Sequence, residues 1–276
     1  MTSTESPHVA VLIPCHNEGT TIARVVAGFR ASLPTAAIHV FDNNSTDDTA
    51  DAAARAGASV GRVALQGKGN VLRRMFADVD ADAYLLVDGD DTYDAASAPR
   101  LLDALLSAGA DMIVGVRDPT ALAYRRGHQF GNRMLTGFLS WLFGRNCTDI
   151  LSGYRAFSRR FVKSFPISSS GFEIETELTV HALEMSLPVG EVLTPYKERP
   201  DGSASKLKTY RDGTRILLTM LRLFSTERPF AFYGGISVML AITSVVLAVP
   251  VVQTYVETGL VPRFPTAILS TGLMLM

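Results

Sequence analysis

Only two cysteines, Cys15 and Cys147, occur in the 276 residues, and neither sits in a metal-ligand spacing. That excludes a disulfide framework and a thiolate metal cluster, and it suits a reducing compartment. Neither charge is in excess: 26 Lys and Arg stand against 27 Asp and Glu, a net charge of -1. Nothing in that balance invites nucleic acid as a partner, so any anion site must come from a local cluster of cations. Residues 1 to 8 lack a basic stretch followed by an apolar one, which argues against a cleaved secretory leader. No internal repeat or low-complexity tract appears. What is plentiful is apolar side chain, 47% of the chain, enough for one α/β core and a further hydrophobic piece.

Residues 9 to 14 are continuously apolar and run into His16, Asn17 and Glu18, the pattern of a buried strand ending in a polar loop. Thr20 and Thr21 then stand where they can cap a helix carrying Ile22, Val25, Val26 and Phe29 at helical spacing. The unit repeats with a strand over 38 to 41, Ser45 as N-cap and an Ala-rich helix over 47 to 56. Further strands are expected near 60 to 63, 84 to 87 and 112 to 116, with a helix around 101 to 106. Such alternation predicts an α/β fold, a mainly parallel sheet with helices on both faces. Later in the chain, structure resumes over 151 to 157, followed by a helix from about 173 to 185 and a strand near 189 to 193.

Two features depart from a soluble domain. Residues 134 to 143 carry Leu135, Phe138, Leu139, Trp141, Leu142 and Phe143, too apolar for an ordinary surface helix. Residues 230 to 252 hold no charged side chain and are long enough to cross a hydrocarbon core about 30 Å thick. Before that span Lys206, Lys208, Arg211, Arg215, Arg222 and Arg228 outnumber Asp212 and Glu227, whereas Glu257 and Arg263 alone are charged after it. The bias predicts a membrane protein with its main domain on the cytoplasmic side. Ile216, Leu217, Met220, Leu221 and Phe224 recur at helical spacing, as in a helix lying in the interface. Residues 1 to 205 are therefore read as the catalytic domain, 206 to 228 as an interfacial helix and 229 to 276 as the membrane region, with the apolar 264 to 276 expected to be a second span cut short.

The most informative string is Asp88-Gly89-Asp90-Asp91, directly after a buried strand. Carboxylates crowded at a strand end repel one another unless a cation joins them. Oxygen ligands of this kind suit Mg2+ or Mn2+, which can bridge the phosphates of a nucleotide; Asp88 and Asp90 are the expected metal ligands. Asp42, Asn43, Asn44 and Ser45 follow the second strand in the same way, presenting Asp42 and Asn44 to one cleft. Gly67-Lys68-Gly69-Asn70 reads as a flexible loop with one cation, Lys68, for phosphate. Glu173, Glu175 and Glu177 open a helix and read as a solvated first turn suited to its dipole. Arg117, Arg125, Arg126, Arg199 and Lys206 lie around apolar helices, where they are candidates for an acceptor phosphate or lipid headgroups.

Taken together these strings resemble the family 2 glycosyltransferases with the GT-A fold, over roughly residues 9 to 205. Ile13-Pro14-Cys15-His16-Asn17-Glu18 resembles the family's opening motif, residues 42 to 49 its second, and Asp88-Gly89-Asp90 its metal-binding motif. Within the family, residues 148 to 155, the Arg125-Arg126 pair and Ser203-Ala204-Ser205-Lys206-Leu207 resemble the dolichyl- or polyprenyl-phosphate sugar synthases. The resemblance implies inverting transfer of a hexose from a UDP- or GDP-linked sugar to a polyprenyl phosphate at the bilayer. It implies donor contacts from Pro14, His16, Glu18, Asp42, Asn44, Lys68, Asp88 and Gly89, catalytic carboxylates at Asp149 and Asp90, and acceptor contacts that include Ser205. Asn43 stands where relatives often place a second aspartate, and Thr92 where some synthases supply a glutamine.

Other readings are a transferase acting on another glycan or lipid, and a membrane-tethered nucleotide-sugar-binding protein without transfer. A nucleotidyltransferase would carry a Gly-rich, Arg-containing loop where this chain has His16-Asn17-Glu18. A homo-oligomer is compatible with each of these.

Overall fold

The computed structural model describes residues 7–118, 136–138, 140–141, 148–167, 171, 173–198, 214, 217–218, 220–222, 224–226 and 228–276. The chain divides into two compact units, Met1–Ile216 and Leu217–Met276. The division falls inside the 206 to 228 segment.

In the first unit the apolar runs become strands β1 Val9–Cys15, β2 Ala37–Asp42, β3 Ser59–Arg62, β4 Ala83–Leu86, β5 Met112–Arg117, β6 Arg155–Ser158 and β7 Val189–Thr194. They form one sheet in the order β3-β2-β1-β4-β6-β5-β7. Among the described strands only β6 runs antiparallel to its neighbours, β4 and β5. The helices are α1 Ile22–Ser32, α2 Thr49–Arg55, α3 Lys68–Asp78, α4 Ala98–Ser107, α5 Arg159–Ser164 and α6 Ile174–Glu184. Because side chains alternate along a strand, each strand feeds two cores. From β1, Val11, Ile13 and Cys15 pack with Phe29 of α1 and Leu101 of α4. Ala10 and Leu12 face the other way, toward Met75 of α3, Phe161 of α5 and Leu178 of α6. The doubly covered, mainly parallel sheet expected from the alternation is the one observed.

Several local expectations are corrected. The Gly67-Lys68-Gly69-Asn70 loop is instead the start of α3, whose Val71, Leu72, Met75 and Phe76 are buried at helical spacing. The flanking glycines hid it: Gly67 precedes the helix at φ 127°, a left-handed conformation, and Gly69 is buried in the first turn. Helix α5 was also not apparent; Ser158 caps it, its hydroxyl accepting from Phe161 N at 3.1 Å. Thr21 and Ser45, expected to cap α1 and α2, make no side-chain cap bond. The Thr21 hydroxyl donates to the Gly89 carbonyl at 2.7 Å, and Ser45 Oγ accepts from Asn17 N at 2.9 Å. Residues that read as helix caps thus tie strand-end loops together.

In the second unit, helix α7 Pro229–Thr258 is long and apolar enough to cross a membrane. It extends past the 230 to 252 read from the sequence, continues through Pro250 and ends at Gly259, whose φ is 71°. Helix α8 Phe264–Leu275 follows and packs against it, with the Ser244 hydroxyl donating to the Ser270 carbonyl at 2.6 Å. The described residues from 214 to 226 are helical, as the spacing predicted.

Candidate active site

Parallel strands end at a common edge, and the register states which residues share it. Cys15 lies beside Asp42, and Asp42 beside Arg62. Leu86 pairs with Leu12 on one side and with Arg155 on the other. Because β6 runs backwards, the segment before it, including Asp149, reaches the edge where β1, β2 and β4 finish. Strand β5 is parallel to β4 and ends at Arg117, beside Thr194 of β7. The antiparallel β6 therefore brings Asp149 to the carboxyl edge that Asp88, Asp90 and Arg117 reach from β4 and β5, where open α/β sheets bind ligands.

The loops after β1 and β2 are interlocked. His16 Nδ1 donates to the Asn43 carbonyl at 2.9 Å, and Glu18 N donates to Thr49 Oγ1 at 2.8 Å. Asn43 is buried; its amide donates to the carbonyls of Val63 (2.8 Å) and Leu65 (2.7 Å), and its oxygen accepts from Gly67 N (2.7 Å). An aspartate there would set a carboxylate against two carbonyl oxygens, so the loop before α3 requires the amide. Asn17, Asn44 and Asp91 take left-handed φ values of 51°, 59° and 59°, which Asn and Asp tolerate best among side-chain-bearing residues. Asp42, Asn44, Ser45, Asp47, Asp51 and Arg62 line a pocket of about 240 Å³ at this end. A larger groove, about 470 Å³ beside α3 and α5, is lined by none of these residues.

Asp88 and Asp90 follow β4. Asp90 is buried, and its Oδ1 accepts from Thr92 Oγ1 at 2.6 Å and Thr92 N at 3.2 Å. Thr92 therefore orients the aspartate. Asp88 is partly exposed, with one oxygen 2.5 Å from Lys68 Nζ. The other lies where it would collide with any side-chain carbon added to Gly153. Among the described residues, no group of three or more His, Cys, Asp or Glu side chains forms a metal cage. Two carboxylates in the loop after β4 still fit Mg2+ or Mn2+ by donor type, since these ions take few protein oxygens and fill the remaining positions with phosphate and water.

Lys68 does not stand in an open loop. Its ammonium lies 2.5 Å from Asp88 and 2.6 Å from Glu175; Glu175 is buried, and the Lys68 side chain is little exposed. Burial alone would lower the lysine's pKa, but the two carboxylates raise it. Burial pushes the Glu175 carboxyl up against the opposing pull of Lys68. The solvated first turn expected at 173 to 177 is thus wrong at Glu175.

Arg117 and Asp149 form a bidentate pair: Nε and Nη2 each donate to a carboxylate oxygen at 2.7 Å. Arg117 also lies over the Tyr196 ring, 5.5 Å from its centroid. The segment carrying Asp149 is anchored from below by the fully buried Arg155, which donates to the carbonyls of Ile150 (2.6 Å) and Ser152 (2.9 Å) and to Thr179 Oγ1 (2.8 Å). Tyr93 closes the group: its hydroxyl accepts from Gly153 N at 2.9 Å, and burial raises its pKa so that it stays protonated.

Of the residues predicted from sequence, the structure brings His16, Glu18, Asp42, Asn44, Asp88, Gly89, Asp90, Arg117 and Asp149 to one sheet edge, with Pro14 just inside β1 and Lys68 at the start of α3. Arg125, Arg126, Arg199, Ser205 and Lys206 lie outside the described residues, as does Cys147. Glu175, Tyr93, Arg155 and Tyr196 were missed. Glu175 did carry a signal: with Thr179 and Ala182 it falls at i, i+4 and i+7, a charge inside an otherwise uncharged stripe.

The sequence profile described as glycosyl transferase family 2 matches residues 10–165. "Glycosyltransferase AglJ" of Haloferax volcanii is 36% identical over 251 residues, 90% of this chain and 82% of that protein. "Dolichyl-phosphate hexose transferase" of the same organism is 27% identical over 229 residues, 83% of this chain and 99% of that protein. Among solved structures, glucosyl-3-phosphoglycerate synthase of Mycobacterium tuberculosis, in complex with Mn2+, UDP and glucosyl-3-phosphoglycerate, superposes with a TM-score of 0.66 at 23% identity, covering 79% of this chain and 80% of that one. That likeness supports the GT-A fold.

Proposed function

We propose, for a chain that belongs to glycosyl transferase family 2 and is a glycosyltransferase, transfer of a hexose from a nucleotide sugar to a polyprenyl phosphate at the cytoplasmic face of a membrane. The observation that carries the acceptor class is the alignment with the dolichyl-phosphate hexose transferase over 83% of this chain and 99% of that protein, on a chain with a helix fit to span a bilayer.

On this reading the phosphate oxygen of the lipid attacks the anomeric carbon as the bond to the nucleoside diphosphate breaks. Asp88 and Asp90 would hold a divalent cation, which when bound neutralises charge on the departing diphosphate. His16, Glu18, Asp42 and Asn44 border the nucleotide side of the edge, with the 240 Å³ pocket beside them. Arg117, fixed by Asp149 and Tyr196, supplies a cation for the acceptor phosphate. Arg125, Arg126, Arg199, Ser205 and Lys206 remain proposed acceptor contacts on sequence grounds.

Both Asp149 oxygens already accept from Arg117. A phosphate monoester has its second pKa near 6 and needs no base at neutral pH, so Asp149 orients Arg117 rather than removing a proton. Asp149→Asn should then lower turnover about 10- to 100-fold, the size of one charge-assisted contact. The acidic limb of the pH–rate profile should stay where phosphate ionisation puts it. A much larger loss with the limb displaced would identify Asp149 as a base and favour a hydroxyl acceptor.

A further inference from the structure

We propose that Lys68 and Glu175 are a positioning pair for Asp88, in which Lys68 fixes the aspartate and Glu175 keeps the ammonium from neutralising it. This deepens the reading of Asp88 as a donor-side carboxylate and rests on it. Three elements distant in sequence converge here: the first residue of α3, the residue two beyond β4 and the first turn of α6. The Lys68 ammonium touches both acids, at 2.5 Å and 2.6 Å, and the lysine and Glu175 side chains are 9% and 7% exposed. Asp88, at 29%, is the member that faces outward.

An ion pair built only for stability needs one carboxylate. Burying a second costs desolvation that a single lysine cannot fully offset. The excess negative charge has a use if Asp88 must attract a cation: Lys68 sets its direction, while Glu175 draws part of the positive charge away. Without Glu175 the ammonium would settle wholly on Asp88 and oppose cation binding. Lys68 thereby acts through Asp88, rather than touching phosphate as its sequence context suggests.

The test uses the full chain in detergent and follows free Mn2+ by EPR, titrated in the presence of UDP and, separately, of GDP. Glu175→Gln should raise the Mn2+ Kd about 10-fold, the scale of one charge interaction at a partly screened site. In Lys68→Met/Glu175→Gln the competing ammonium is gone as well. Its Kd should return to within about threefold of wild type, a non-additivity expected of coupled residues. The bound Mn2+ spectrum of that double variant should nevertheless differ from wild type, because Asp88 is no longer held. A wild-type Kd in folded Glu175→Gln overturns the pair. Should that variant fail to fold, the doubly neutral one decides alone, since a bound spectrum identical to wild type overturns the proposal. Failure of the wild-type chain to bind Mn2+ with either nucleotide would instead remove the donor-site reading beneath it.

Discussion

Replacing Asp90 by asparagine should lower glycosyl transfer about 1,000-fold while leaving the protein folded. The two halves of that expectation come from different atoms. The asparagine would keep a side-chain oxygen able to accept from Thr92 Oγ1 and N, the bonds that hold Asp90 in its buried position, so the loop after β4 should persist. The lost negative charge is what a divalent cation needs, and losing several kcal/mol of charge stabilisation corresponds to about three orders of magnitude in rate. Melting temperature and turnover, measured on the same preparation with excess Mn2+, separate the two. Turnover within tenfold of wild type would show that Asp90 is not a cation ligand.

Gly153→Ala should lower transfer about 100-fold at little cost to stability. A side-chain carbon on Gly153 would stand far inside van der Waals contact of Asp88 Oδ2. The atom it meets is the end of a side chain, so the aspartate yields and the fold survives. Asp88 cannot yield harmlessly, because its other oxygen is bound to Lys68 at 2.5 Å. A carboxylate displaced by even 1 Å from its place in a catalytic group costs about 100-fold. Circular dichroism and thermal melting should resemble wild type, while the Mn2+ requirement for activity rises. Unchanged activity would mean that the position of Asp88 does not matter to the reaction.

The sequence revealed what local patterns encode. Continuous apolar runs identified β1, β2, β4 and β5, and the polar strings behind three of them pointed to one sheet edge. The uncharged run in α7 identified the candidate membrane helix. Contacts between segments distant in sequence left no such trace. Lys68 and Glu175 meet across 107 residues, and no periodicity in α3 or α6 announces their pairing. Strand β6 is short, and nothing in Arg155–Ser158 says that it runs backwards; yet that reversal brings Asp149 to Arg117. Arg155 ends the 148 to 155 string, and nothing local says that its buried guanidinium holds the carbonyls of the Asp149 segment. Thr92 and Asn43, which had read as departures from a family pattern, are instead polar groups that orient Asp90 and the loop before α3.

On the proposed function the acceptor is a lipid phosphate. The direct measurement supplies the purified chain in lipid nanodiscs with Mn2+, radiolabelled UDP- and GDP-hexoses in turn, and either polyprenyl phosphate or the matching unphosphorylated polyprenol. Label should move into the lipid fraction with at least one donor and only when the phosphate is present. Equal labelling of the polyprenol, or no labelling of polyprenyl phosphate from any donor, would contradict it.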